Sequence, residues 1–207
     1  TKKQHVLVTR PGWGDRRIAS IKSKDAFKWE NLEMIMQPDS SDPFGIQMYG
    51  MPVNFYEGYY VGFLYIARFS NSQRLERWNQ LVGYIDSQLT YSFDGTYFQR
   101  GMRKPFIPLN DPGEPGSGII YPTCIVEVDG QLRIYSAASS DLHCQFTTKQ
   151  VIPKNDPIPA THIIMHTLRK DGFMYIQSSG NWASFITKPL ALFEGKLLLN
   201  AQGPFGQ

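Results

Sequence analysis

One pattern constrains this chain more than any other: an apolar strand, an acidic residue, a glycine and an answering apolar strand. It occurs as YEGYYVGF at 56–63, VDGQLRIY at 128–135 and FEGKLLLN at 193–200. An acidic residue followed by Gly between β-forming runs closes a tight hairpin, because both tolerate the positive φ such turns require. A second motif alternates with it, Ser/Arg-x-Asp-x-x-x-aromatic, as SKDAFKW (23–29), SFDGTYF (92–98) and RKDGFMY (169–175). Asp25, Asp94 and Asp171 recur about every 70 residues, and each period holds both motifs, hence four antiparallel strands. That is the size and order of one β-propeller blade. The runs alternate or are uniformly β-branched and aromatic, with none of the 3.6 periodicity of a helical repeat.

The expected fold class is therefore all-β. Residues 4–36 read as a blade lacking its innermost strand, 46–107 as a complete blade and 117–177 as a third. Residues 1–180 form the propeller part, and 181–207 add a C-terminal hairpin around Glu194-Gly195. Fewer than four blades cannot close a ring. The chain is thus expected to be a piece of a longer propeller, the other option being a different all-β arrangement of the same repeats.

Composition narrows function. Aromatics make up 14% of the 207 residues, with 18 Gly and 14 Pro, which suits short strands and punctuated turns. A net charge of +3 with no dense Lys/Arg run lacks the footprint of a nucleic-acid binder. No apolar stretch reaches membrane-spanning length. Neither nucleic acid nor membrane is expected as a partner. Cys124 and Cys144 fit neither a disulfide framework nor a zinc motif, and the four histidines are scattered. No P-loop, dinucleotide glycine pattern or G-x-S-x-G elbow occurs. Ser139-Ser140-Asp141-x-His143 has no organised third member for a nucleophile triad. No metal and no cofactor is expected.

Strand order places the tight acidic-Gly turns at one end of the blades and the long connections at the other. Glu57, Asp94, Asp129 and Asp171 then read as turn formers, while long loops carry function. Four segments converge at the second end: 39–47, 68–86, 110–117 and 141–160. They bring Asp39, Asp42, Glu76, Asp86, Asp111, Glu114, Asp141 and His143 together with Tyr49, Trp78, Tyr84 and Tyr121. Carboxylates among aromatic platforms suit a carbohydrate: the rings stack on apolar sugar faces and the carboxylates accept from hydroxyls. Cleaving a glycosidic bond needs two carboxyl groups, one acid and one base or nucleophile. Asp39 and Asp111 lie in turn contexts. The candidates for catalysis are Asp42, Asp86, Glu114 and Asp141, and those for substrate binding are Tyr49, Arg68, Trp78, Tyr121 and His143.

At YGMPVNFYEGYYVGFLYIA, IDSQLTYSFDGTYFQR, IIYPTCIVEVDGQLRIYSAASSDLH and RKDGF…FITKPLALFEGKLLLNA, the chain resembles a group of bacterial proteins assigned as glycosyl hydrolases. Their propeller is similar to the five-bladed one of glycoside hydrolase families 32 and 43. The resemblance spans most of the chain from about Arg16. It implies that about three of five blades are present and that the TKPL…GKLLLNA element opens a β-sandwich. It also implies hydrolysis of O-glycosyl bonds in an oligo- or polysaccharide, and export to the periplasm or exterior. Asp86 in IDSQL and the pair Asp141 and His143 in SSDLH match positions of that group. Before GIIY, where the group has an acidic residue, this chain has Gly116-Ser117, and Glu114 is the nearest carboxylate. The blade that supplies the nucleophile or base would lie upstream of Thr1. The alternative is a propeller that binds glycan or protein without cleaving it.

Overall fold

The computed structural model describes residues 4–69, 81–144, 161–180 and 182–189, with the single residues 191, 195 and 201. Every regular element among them is a β-strand. Strands β1 (His5–Thr9), β2 (Ile18–Ser23) and β3 (Glu33–Met36) form an antiparallel meander. A second meander follows: β4 (Ile46–Gly50), β5 (Val53–Tyr56), β6 (Tyr59–Phe69), β7 (Gly83–Ser92) and β8 (Gln99–Arg100). Both β4 and β5 pair with β6, which pairs with β7, which pairs with β8. The third meander is β9 (Ile119–Val128), β10 (Gln131–Ser139) and β11 (Thr161–Arg169). It joins the second through parallel pairing of Ile85 with Ile119. The fold is all-β and its meanders are propeller-like blades; no closed ring forms among the described residues.

Local chemistry explains the turns. Glu57-Gly58 and Asp129-Gly130 both have positive φ throughout, at 46° and 85° and at 52° and 74°, the conformation of a two-residue hairpin turn whose twist matches the flanking strands. The second motif repeats at atomic detail. Asp25 Oδ1 accepts from the N–H groups of Phe27 and Lys28 at 2.9 and 2.8 Å, and the Ser23 hydroxyl accepts from Ala26 N at 2.9 Å. Asp94 Oδ1 likewise accepts from Thr96 and Tyr97 at 2.8 and 2.9 Å, and Ser92 from Gly95 N at 2.9 Å. Ala26 and Gly95 both sit at positive φ, 63° and 73°. In each loop one short acidic side chain replaces the backbone partners that the turn leaves unsatisfied.

The third copy differs. Asp171 also has positive φ (59°), and Gly172 N–H donates to Arg169 O at 3.0 Å, but among the described residues no strand follows β11: residues 173–177 are not strand. Their apolar side chains Met174, Tyr175 and Ile176 are exposed, so an extended segment there has no face to bury. The chain divides into two compact units, Thr1–Gly172 and Phe173–Gln207. Most of the hairpin expected around Glu194-Gly195 lies outside the described residues.

The core runs along β6 and β7, which are buried on both faces over most of their length, and along the alternate buried residues of β4. Ile46, Met48, Leu64 and Ile66 cluster with Ile18 and Met36 of the first meander. On the same face of β7, in register with Ile66, Leu64 and Gly62, stand Asp86, Gln88 and Thr90. All three are buried, so each needs a partner. Thr90 Oγ1 donates to Gly62 O at 3.1 Å, and Arg100 donates to Gln88 Oε1 at 2.6 Å. The opposite face carries Tyr65 on β6, whose hydroxyl donates to Pro122 O of β9 at 2.8 Å. That bond and the two bonds of the Asn54 amide to Thr123 and Ile125 tie the second and third meanders together.

Candidate functional site

Tyr49 of β4, Tyr121 of β9 and His143, four residues past the end of β10, come together at the ends of the second and third meanders. The Tyr49 and Tyr121 rings stack with centroids 6.0 Å apart and planes 21° from parallel. His143 meets Tyr49 edge-on at 5.1 Å. Two glycines make this approach possible. A Cβ at Gly83 would overlap the Arg68 carbonyl, and a Cβ at Gly118 would overlap the Asp141 carbonyl. With both absent, His143 N–H reaches Gly83 O at 2.8 Å and Gly118 N–H reaches Ser139 O at 3.0 Å. The segment 141–143 is thereby clamped across the start of β7.

The histidine's tautomer follows from its partners. Nδ1 lies 2.8 Å from Leu81 O, which can only accept, so Nδ1 carries the proton. In the neutral ring Nε2 then accepts from the Tyr49 hydroxyl at 3.0 Å. Burial, outweighing the Leu81 bond, holds the His143 pKa below its ordinary value, and the charges of Arg16 and Arg10 push it the same way. Burial raises the Tyr121 phenol well above the usual range, helped by Tyr49 and Tyr65. The cluster is thus neutral at its aromatic heart, with the arginines at its rim.

Those arginines come from the connection between β1 and β2. The Arg10 guanidinium lies 4.8 Å from the Tyr49 ring centroid and that of Arg16 lies 5.4 Å from it. Arg16 also stands 5.3 Å from the Phe69 ring and donates to Gln47 Oε1 at 2.7 Å. Trp13, on the same connection, is 47% exposed. None of Arg10, Trp13, Arg16, Gln47 and Phe69 is marked by a local motif. The only signal was the Arg-Pro-Gly-Trp-Gly turn beside a strand, and a turn does not say which blade it leans on.

The expected carboxylates sit in different surroundings. Asp86 is 3% exposed and accepts from Arg68 Nε at 2.8 Å and Nη2 at 3.4 Å; the two expected site residues are thus each other's partners. The Asp42 side chain, also 3% exposed, faces Arg100 at 2.7 Å and Arg103 at 3.0 Å. Burial would raise its pKa, but hydrogen bonds and charge from Arg100, the Asp39 N–H and Arg103 prevail and bring it down to about 2. The network holds Asp42 as an anion, and so low a proton affinity makes it a weak base. Arg103, Arg100 and Asp39 also line a cleft of about 420 Å³ with Met34, Met36 and Phe98. Glu114 is exposed in a turn, its N–H donating to Asp111 O and its carbonyl accepting from Ser117 N, both at 3.0 Å. Asp141 is half-buried, with its N–H on Ser139 Oγ at 3.1 Å. Trp78 lies outside the described residues.

Cys124 is exposed and Cys144 half-buried, and the two do not form a disulfide. Among the described residues no group of three or more His, Cys, Asp or Glu side chains is placed to hold a metal ion.

No protein-family model matches the chain, and no curated protein matches it. Among solved structures it has a distant likeness to a Bombyx mori GH32 beta-fructofuranosidase, at 13% identity and a TM-score of 0.45, over 67% of this chain and 28% of that one. A structure described as a glycoside hydrolase is similar at 13% identity and a TM-score of 0.44, over 79% of this chain and 40% of that one. The chain spans less than half the length of either.

Proposed function

We propose that this protein acts on carbohydrate, and that the cluster of Tyr49, Tyr121, His143, Arg10 and Arg16 is where it holds the sugar. The observation that carries this reading is the convergence of two strands, β4 and β9, and two connections on one half-buried patch rich in rings and N–H and O–H donors. Sugars are bound by that combination: planar side chains hydrogen-bond vicinal hydroxyls, and an exposed ring such as Trp13 offers a face for a pyranose or furanose. The test is binding of the 207-residue chain to a glycan panel, followed by titration calorimetry on the best ligand. Tyr121→Ala and Trp13→Ala should each weaken binding at least tenfold with the thermal midpoint of the Trp13 variant unchanged. A panel with no ligand would reject the reading.

Hydrolysis of an O-glycosyl bond is the finer form of this proposal, with Asp86 as its leading carboxylate and Asp42, Glu114 and Asp141 as possible companions. It is supported by the burial of Asp86, held as a charge-assisted pair with Arg68, three residues along β7 from the Gly83 carbonyl that anchors His143. Arg68 keeps Asp86 oriented, as a base or stabilising anion must be. Turnover of chromogenic glycosides by the parent, abolished in Asp86→Asn, is the expected result. Binding without turnover leaves glycan recognition as the function. The boundaries at 180 and 181 and the sandwich character of the tail belong to the same proposal.

A further inference from the structure

A single exposed apolar side chain is ordinary on a protein surface. Phe44 differs in how it is held and in what lies beside it. Its side chain is fully exposed, yet the turn that carries it is braced. Asp42 N–H donates to Asp39 O at 2.9 Å, Asp39 N–H donates to Asp42 Oδ2 at 3.0 Å, and Ser41 N–H donates to Asp39 Oδ1 at 2.9 Å. From outside the turn, Arg100 meets the buried Asp42 carboxylate at 2.7 Å, and Arg103 meets Asp42 at 3.0 Å and Asp39 at 2.6 Å. Pro43 has its own φ fixed by its ring, and Gly45, at φ 82°, turns the chain into β4.

Next to this turn is the cleft of about 420 Å³ whose apolar wall is Met34, Met36 and Phe98. Shared residues join the two features. Asp39 belongs to the turn and lines the cleft, and both guanidiniums that hold Asp42 line it as well. Two residues of chain span at most about 7 Å, so the Phe44 backbone stands within that distance of Asp42. Phe44 is not part of the cleft's walls. Met34 on the cleft and Met102, next to Arg103, are themselves exposed.

The cleft favours an uncharged aromatic insert. Its charged groups are already matched, Arg100 with Asp42 and Arg103 with Asp39 and Asp42, so covering it strands no ion. Methionines adapt to the outline of a ring, and their thioethers make favourable contacts with it. A surface with a projecting ring beside such a cleft is complementary to itself. A two-fold rotation about an axis between them brings each ring to the other copy's cleft and forms every contact twice.

We propose that this face joins two copies of the chain, each inserting Phe44 into the Met34–Met36–Phe98 cleft of the other. The ion pairs on Asp39 and Asp42 hold the ring extended before the second copy arrives, so little conformational freedom is lost on association.

Sedimentation velocity on the 207-residue chain, up to about 100 μM, tests this, with dimerisation expected in the micromolar range. Phe44→Ser, at a fully exposed position, should leave the thermal midpoint of the monomer unchanged and weaken the dimer at least about tenfold. Met34→Glu, in the cleft wall, should weaken it similarly. The two variants are then mixed. The Phe44→Ser copy keeps its cleft and the Met34→Glu copy keeps its ring, so a mixed dimer retains one intact insertion. The mixture should therefore associate more tightly than either variant alone, and that pattern supports the inference. A parent that stays monomeric throughout overturns it, and so does a dimer indifferent to Phe44→Ser. Growth into species larger than a dimer overturns the two-fold arrangement, and a mixture no tighter than the single variants overturns the reciprocal insertion.

Discussion

Asp42 is the group whose removal the structure prices most directly. Its carboxylate is buried against Arg100, itself 7% exposed, and against Arg103. A carboxyl whose pKa is 3.8 in the unfolded chain and about 2 in the folded one contributes about 2 kcal/mol of stability at neutral pH. The sign follows from the depressed folded value: the contribution is complete above pH 3.8 and is lost as pH falls from there through about 2. Asp42→Asn keeps the shape and one acceptor for the Asp39 N–H but removes the charge. Arg100 then keeps its bonds to Gln88 Oε1, as a nearly buried cation that has lost the Asp42 counterion. Stranding such a charge costs about 3–5 kcal/mol, so the loss at pH 7 should fall between about 2 and 4 kcal/mol. With a urea m-value of about 2 kcal/mol/M, the midpoint should drop by about 1–2 M. Urea titrations followed by tryptophan fluorescence, at pH 7 and at pH 2.5, supply the comparison. The gap between parent and variant should shrink at the lower pH, where the parent's own Asp42 is partly protonated. A double-mutant cycle with Arg100→Gln should give a coupling above about 1 kcal/mol. An Asp42→Asn protein as stable as the parent at pH 7, or a gap that does not change with pH, would refute the claim that this ion-pair network holds residues 39–42 against β8.

Other consequences can be measured with the same protein. Gly83→Ala should destabilise by about 1–3 kcal/mol in urea titration, because its Cβ would overlap the Arg68 carbonyl and Phe69 backbone rather than a side chain that can swing away. Tyr49→Phe removes the donor to His143 Nε2; leaving that half-buried acceptor with only the weak Cys144 thiol contact at 3.7 Å should cost up to about 1 kcal/mol. His143 should titrate below 6.5 when followed by NMR of its ring protons, so that stability falls as pH drops through 6.5 toward the folded value, and Arg10→Gln should move that titration upward. Asp25→Ala and Asp94→Ala should lower the thermal midpoint by similar amounts, since each removes an acceptor holding two backbone N–H groups in equivalent loops; unequal losses would contradict the equivalence.

Local patterns determined the strands and turns. Glu57-Gly58 and Asp129-Gly130 carry their conformation in their own residue types, because positive φ at two successive positions is a local demand that few pairs meet. The Ser-x-Asp loops are equally local: every bond in them spans two or three residues. The spacing of Asp25, Asp94 and Asp171 told that the unit repeats. What local pattern could not decide was the pairing between distant groups. Asp42 and Asp86 read from sequence as carboxylates at the loop end, yet their surroundings depend on Arg100, 58 residues along, and Arg68, 18 residues along. Nothing in the Arg10–Arg16 stretch announces its contacts, which are with Tyr49 and Phe69 of the next meander. Nothing local marks Gly83 or Gly118, yet a Cβ at Gly83 would meet the Arg68–Phe69 backbone and one at Gly118 the backbone of Ser140 and Asp141. Short-range hydrogen-bonding demands are written into consecutive residues. Charge partners and close backbone approaches exist only once strands distant in sequence are packed together.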